Sequence, residues 1–144
     1  MEINKYSMSG KDGKLYLTVN NFIVAYAESF NAMLHEYMKE YVIRGASYCV
    51  PNNYEVKLQL NRLSTPDPDM IREIIADLAR GQLSDFMFTG WYKTGNGALA
   101  PIKFYHCIPE SDDLGKFLDG YVIQWEFMIY QIDETLIREF KNAA

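Results

Sequence analysis

The chain has 144 residues, 49% of them hydrophobic and 23% charged, with a formal net charge of −5. That length fits a single domain, residues 1–144, able to bury a core without metal or disulfide staples. The acidity excludes a groove that grips nucleic acid by its phosphates, which needs a basic face, and no apolar run approaches the ~18 residues that span a membrane.

Lys14 to Val19 (KLYLTV) alternates with Leu15, Leu17 and Val19 in phase, which predicts a short strand. Asn20-Asn21 suits a tight turn, and Phe22, Val24 and Tyr26 alternate again, completing a hairpin. Residues 25–44 (AYAESFNAMLHEYMKEYVIR) read locally as a helix. Tyr26, Phe30, Met33, Leu34, Tyr37 and Tyr41 recur at helical spacing among good helix formers. Residues 45–54 (GASYCVPNNY) carry Gly, Pro and paired Asn and predict a loop. In Glu55 to Leu63, Val56, Leu58 and Leu60 face one way, and Lys57, Gln59 and Asn61 the other.

DPDMIREIIADLARG is the clearest helix, over 68–80. Asp67 can cap it, Pro68 suits its first position, and Ile71, Ile74, Ile75 and Leu78 form one apolar stripe. Gly81 can end it. Asp85 to Tyr92 predicts a strand, Asn96-Gly97 a hairpin turn, and Pro101 to Ile108 the partner strand with Ile102, Phe104 and Ile108 in phase. Residues 109–120 read as a polar loop. Tyr121 to Gln131 is the longest alternating strand, with Tyr121, Ile123, Trp125, Phe127 and Ile129 on one face. Asp133 to Lys141 suits a short terminal helix. At least six strands with hairpin turns around one mid-chain helix predict a mainly β sandwich or barrel. An aromatic content of 15%, with 11 Tyr and 8 Phe, leans towards strands and assembly.

No catalytic or metal-binding constellation emerges, and no cofactor is expected. His106 and Cys107 are adjacent, so they point to opposite faces of a strand, and no CxxC or HxxxH spacing accompanies them or Cys49. Gly95-Asn96-Gly97 lies between strands, not before a helix, and cannot serve as a phosphate loop. Asp112-Asp113 lacks a calcium-loop pattern. Two cysteines and an N-terminus without an apolar signal core give the expectation of a cytosolic protein with reduced thiols.

The order of elements resembles the tail tube proteins of contractile-tailed phages, especially the short ones of defective prophages and phage-tail-like bacteriocins. SGKDGKLYL resembles that group's opening. FNAMLHEYMKEYVIRG at 30–45 resembles its Phe-x-Ala beginning and Gly ending. VKLQLNRL, the helix from Pro68, DFMFTGWY, GNGALAPIKFYHCI and GYVIQWEFMIY follow the family order over nearly the whole chain. The related tube of type VI secretion systems has the same architecture.

The resemblance implies a small β-barrel or sandwich with one flanking helix. Six copies would close into rings that stack as a tube inside a contractile sheath, with no enzymatic activity. Tape measure and baseplate proteins would be further partners, DNA at most passing cargo, and no membrane is involved. The protein would be made in the host bacterial cytoplasm and built into a virion tail or tail-like particle. The resemblance also implies that residues 25–44 are extended, as two strands with a turn near His35 to Lys39 that project to pair with neighbours. Phe30, Ala32, Leu34, Tyr37, Tyr41 and Ile43 are the expected subunit-interface residues. Lys57, Gln59 and Asn61, or Gln124 and Glu126, are the lumen candidates, and the helix 68–80 and loop 109–120 are candidates for outer or inter-ring contacts. Two alternatives stand beside this: a tube initiator or terminator of the same fold, and a monomeric barrel binding a small ligand between the aromatic faces of 85–92 and 121–131.

Overall fold

Two strands much longer than their neighbours set the architecture. The computed structural model describes residues 3–10, 15–19, 22–64, 69, 72–73, 76–77, 80, 86–110 and 121–143. Within them β3 (Phe22–Ile43) and β4 (Ala46–Ser64) pair antiparallel from Tyr26↔Ser64 to Ile43↔Ala46. Arg44 and Gly45, with φ of 52° and 79°, close the hairpin. Two successive positive φ values are what a two-residue turn needs to match strand twist, and Gly45 meets that need without steric cost.

The other elements are β1 (Ile3–Gly10), β2 (Leu15–Val19), β5 (Phe86–Lys93), β6 (Leu99–Pro109), β7 (Tyr121–Ile129) and a C-terminal helix, Glu134–Ala143. The strand order β3-β2-β5-β6-β7-β4, with β4 returning to β3, is a closed six-stranded antiparallel barrel. The fold is thus a mainly β barrel with a flanking helix. β1 lies along the same edge of β3 as β2, opposite Phe30–Tyr37, while β2 lies opposite Phe22–Ala27.

Alternation fills the barrel. Val56, Leu58 and Leu60 of β4, Phe86, Phe88 and Tyr92 of β5, and Trp125, Phe127 and Ile129 of β7 are all buried. Their rings interlock: Phe127 lies 4.7 Å from Trp125, 4.9 Å from Phe88 and 5.7 Å from Phe86, centroid to centroid. Burying each large apolar side chain contributes roughly 1.5–3 kcal/mol. Gly10 sits where a Cβ would come 2.2 Å from Phe30 Cε1 and 2.7 Å from the Trp91 carbonyl oxygen, so no larger residue fits.

The phase of alternation is reset in β3, β4 and β6 where the ladders shift. On β3 the inward row runs Ala25, Ala27, then Phe30, Ala32 and Leu34; on β4 it runs Leu60, then Leu63. The paired strands shift together beside Arg62, whose φ is 53° and whose guanidinium lies 3.4 Å from Glu28. In β6 an extra residue opposite Met87 places His106 at φ 59°. Cys107 therefore turns inward, and Ile108, expected in phase with Ile102 and Phe104, is exposed. Such bulges bend strands and let a sheet curl on itself.

The C-terminal helix covers the barrel end from which the β3–β4 hairpin departs. Asp133 caps it, accepting from Leu136 N–H at 2.8 Å. Leu136 and Phe140 are buried, with Phe140 against Phe104, and Gly95 N–H donates to the Asn142 carbonyl at 2.9 Å. The buried Tyr92 phenol is pushed up to about 12, first by burial and then by the Glu139 carboxylate.

Several expectations need correction. Residues 25–43 lie in one continuous strand, extended as the resemblance implied and not helical, and the turn lies at Arg44–Gly45 rather than near His35 to Lys39. Residues 46–54 are strand, not loop: Pro51 pairs with Met38 and Asn52 is the extra residue of a bulge. β1 was not anticipated. The loop at Asn96-Gly97 spans three residues, with Gly97 at φ 91° and its N–H bonded to the Thr94 carbonyl at 2.9 Å. Asp69, Arg72, Glu73, Ala76 and Asp77 are helical, as expected for 68–80. The proposed cap Asp67, Pro68, the four stripe residues, Gly81, the Asn20-Asn21 turn and most of the loop 109–120 lie outside the described residues.

Gly10→Ala should destabilise the fold by about 1–3 kcal/mol through overpacking, and Phe127→Ala by about 3–5 kcal/mol through a cavity. Urea unfolding followed by Trp fluorescence measures both. A Gly10→Ala protein as stable as the parent would show that Phe30 has room to move.

Candidate functional site

The outward face of β1, β3, β4 and β7 is mainly polar, with Met33 and Met128 on either side of Lys57. Register places Asn31 beside Gln59 and Gln59 beside Glu126, and likewise Ser29, Asn61 and Gln124 in one row. Asn61 Nδ2 donates to Ser29 Oγ at 3.1 Å, and Gln59 Nε2 donates to Asn61 Oδ1 at 3.1 Å. Lys57 Nζ lies 3.5 Å from Glu126 and 3.7 Å from Glu110. Lys57, Gln59 and Asn61 on the one hand, and Gln124 and Glu126 on the other, therefore share one face. The sequence reading held them as alternatives because strand order was unknown.

Beyond Tyr37 and Val56 the β3–β4 hairpin leaves the barrel as an arm. Among the described residues the β1 ladder reaches Tyr37, opposite Ile3, and the β7 ladder reaches Val56, opposite Ile129. Residues 39–53 are all exposed, with Val42 70%, Ile43 57% and Tyr48 52% open to solvent. Tyr41 is exposed too, under the Lys39 ammonium at 5.2 Å. Among the described residues no further strand pairs with the outer edges of this arm, so exposed apolar side chains and open strand edges occur together on it.

The expected interface residues divide at the root of this arm. Tyr41 and Ile43 lie exposed on it, and Tyr37 is half-buried at its base. Phe30, Ala32 and Leu34 instead face the barrel interior, at 1%, 3% and 0% exposure. They cannot meet a neighbour, because the alternation that fits them to a strand directs them into their own core. Their backbones are also occupied, by β1 on one edge and β4 on the other.

The root is held on both faces. Outside, Tyr37 Oη donates to Glu55 Oε1 at 2.5 Å, and His35 Nδ1 is 3.3 Å from the same oxygen. The Tyr37 bond, aided by His35 and opposed by burial, holds the Glu55 carboxyl below the usual range. The same bond, then burial, raises the Tyr37 phenol. Inside, the buried Glu36 carboxylate accepts from Asn4 Nδ2 at 3.1 Å and meets Lys141 Nζ of the C-terminal helix at 3.6 Å. The Tyr6 ring lies 5.6 Å from that ammonium, and burial followed by Glu36 raises the Tyr54 phenol. The polar positions Glu36 and Glu55 were missed by the sequence reading; for Glu36 a charged residue at an inward phase was the available signal, and Glu55, on the outer face, offered none.

Among the described residues no three His, Cys, Asp or Glu gather in a metal-binding arrangement, and no helix is long and apolar enough to cross a membrane. His106 is exposed and Cys107 buried. No protein-family model matches the chain, and neither does any curated protein.

A carboxyl with a lowered pKa contributes stability above its unfolded value and loses it as pH falls through the folded value. Acid below the usual carboxylate range should therefore loosen the arm root through Glu55. Amide exchange across residues 38–53 should quicken relative to the barrel core, and Glu55→Gln should flatten that dependence. An identical acid response in the variant would remove Glu55 from the account.

Proposed function

We propose that this chain is the ring-forming subunit of a hollow tube, the inner tail tube of a contractile phage tail or tail-like bacteriocin. Six copies would close head to tail, the rings would stack, and a sheath would surround them. The observation that carries this reading is the arm: a two-stranded extension with open edges and exposed Tyr41, Val42 and Ile43, built onto a barrel that is already closed and full. A closed barrel needs no such extension for its own stability. A second molecule gives it a use.

The polar face supports the reading from the other side. A conduit wall has to be wettable and must not bind its cargo. Amides and cross-strand ion pairs supply this: Lys57 is balanced by Glu126 and Glu110, so the face offers no unbalanced row of cations to phosphates. The chain's net charge of −5 points the same way. On this reading Lys57, Gln59, Asn61, Gln124 and Glu126 line the lumen, and passing DNA is repelled rather than held. A ligand-binding barrel would need interior space between β5 and β7, where Phe86, Phe88, Trp125 and Phe127 are in mutual contact.

Negative-stain electron microscopy of concentrated protein should show six-fold rings or hollow tubes. Val42→Asp, at an exposed arm position, should abolish them while leaving the melting temperature unchanged. A parent protein that scatters light as a monomer at every concentration overturns the reading.

A further inference from the structure

β6 has an edge that the barrel leaves open. Its ladder with β7 consists of Ile108↔Met128 and Pro109↔Phe127, continued by Glu110 N–H donating to the Glu126 carbonyl at 3.0 Å. β7 then ends at Ile129 and the chain turns into the C-terminal helix. From Leu99 to Tyr105, β6 has β5 as its strand partner among the described residues. A groove of about 570 Å³ runs along this stretch. Lys103 and Tyr105 stand on its strand wall, Asp133 and Glu139 on its helix wall, and Ile102 and Leu136 are buried beneath.

An open strand edge beside a groove is the geometry of strand addition. The occupant must bring a free edge, apolar side chains and, because Asp133 and Glu139 outnumber Lys103, a small excess of positive charge. The β3 side of the arm has all three. Met38–Ile43 extends past the end of β1 and carries Tyr41, Val42 and Ile43 exposed. Lys39 and Arg44 outnumber Glu40, which already accepts a hydrogen bond from Ser47. On this acidic chain the arm is locally basic. The β4 side fits less well, because Pro51 has no N–H to offer and the bulge at Asn52 interrupts its edge. The regular part of the receiving edge runs from Ile102 to Tyr105, between Pro101 and the bulge at His106, so the added ladder is short.

The arm projects away from its own barrel, so the strand comes from another molecule. We infer that the groove between β6 and the C-terminal helix receives Met38–Ile43 of a second copy as an added strand. The inference rests on the ring-subunit reading and specifies its contact. Arm and groove are different surfaces of one chain, which is what a head-to-tail interface requires.

Disulfide trapping on the full chain tests this. Tyr41→Cys and Val42→Cys, whose side chains point to opposite faces of the arm, are each made in a Cys49→Ser background. Each is mixed with a Tyr105→Cys, Cys49→Ser protein and oxidised. A disulfide needs Cα atoms within ~7 Å, so only strands lying side by side couple. One of the two mixtures should give a dimer on a non-reducing gel that neither component gives alone. Lys39→Glu combined with Arg44→Glu should suppress that dimer. All the substituted positions are exposed, and an unchanged thermal melt confirms that each variant folds. Rings in the microscope with no coupling in either mixture overturn the groove assignment and leave the ring reading standing. Coupled dimers from a chain that never forms rings keep the groove assignment and overturn the ring. Coupling that ignores the charge reversal overturns the basis on which the arm was matched to the groove.

Discussion

Everything in this molecule depends on the pairing of β3 with β4. The two strands stay hydrogen-bonded for most of their length, and β3 alone extends roughly 70 Å at about 3.3 Å per residue. Three consequences follow from that one ladder. Its root half closes the barrel, because β3 also pairs with β2 and β4 with β7. Its outer face supplies the two middle strands of the polar surface. Its far half outruns both neighbours and becomes the arm. The polar surface and the exposed arm are therefore parts of one ribbon, and their relative direction is set by the twist of a continuous ladder.

The ladder also explains why residues 25–44 resist a helix. Their helix propensity differs from that of strand formers by tenths of a kcal/mol per residue. The alternative offers a cross-strand partner at nearly every position, each backbone hydrogen bond contributing about 0.5–1.5 kcal/mol net, together with burial of Phe30 and Leu34. The partner strand comes from the same chain, so the extended form needs no neighbouring subunit as far as Tyr37. Among the described residues the arm beyond has no strand on either outer edge.

Much of this was legible in the sequence, and the failures have physical causes. Clean alternation identified β4 from Glu55 onward, β5 and β7, because each has one wet and one dry face. β3 was ambiguous because it carries large side chains on both: Phe30 and Leu34 inside, Tyr26, Met33 and Tyr41 outside. That mixture mimics a helical stripe. Phe30, Ala32, Leu34 and Glu36 keep one inward phase, while Tyr37, Tyr41 and Ile43 belong to the opposite face, so the two rows mark two faces of one strand and not a turn. Pro51 and the Asn pair looked like a loop because they guard an exposed edge, where strand and loop chemistry coincide. β1 was hidden because only Met8 and Gly10 among its residues are buried. The two sets of lumen candidates could be proposed from alternation alone. That they adjoin depends on strand order, which no single segment encodes.

The C-terminal helix ties the remaining pieces together. Its first turn, from Asp133 to Leu136, borders the β6 groove, while Lys141 in its last turn grips Glu36 at the root of the arm. A helix of 10 residues spans roughly 15 Å and transmits displacement along its axis with little loss. A buried carboxylate is a demanding anchor, since removing its cation leaves an uncompensated charge out of water. Glu36 is 3% exposed, so Lys141 cannot drift from it cheaply. The groove that would take in a neighbour's arm and the anchor that orients the molecule's own arm thus share a single stiff element.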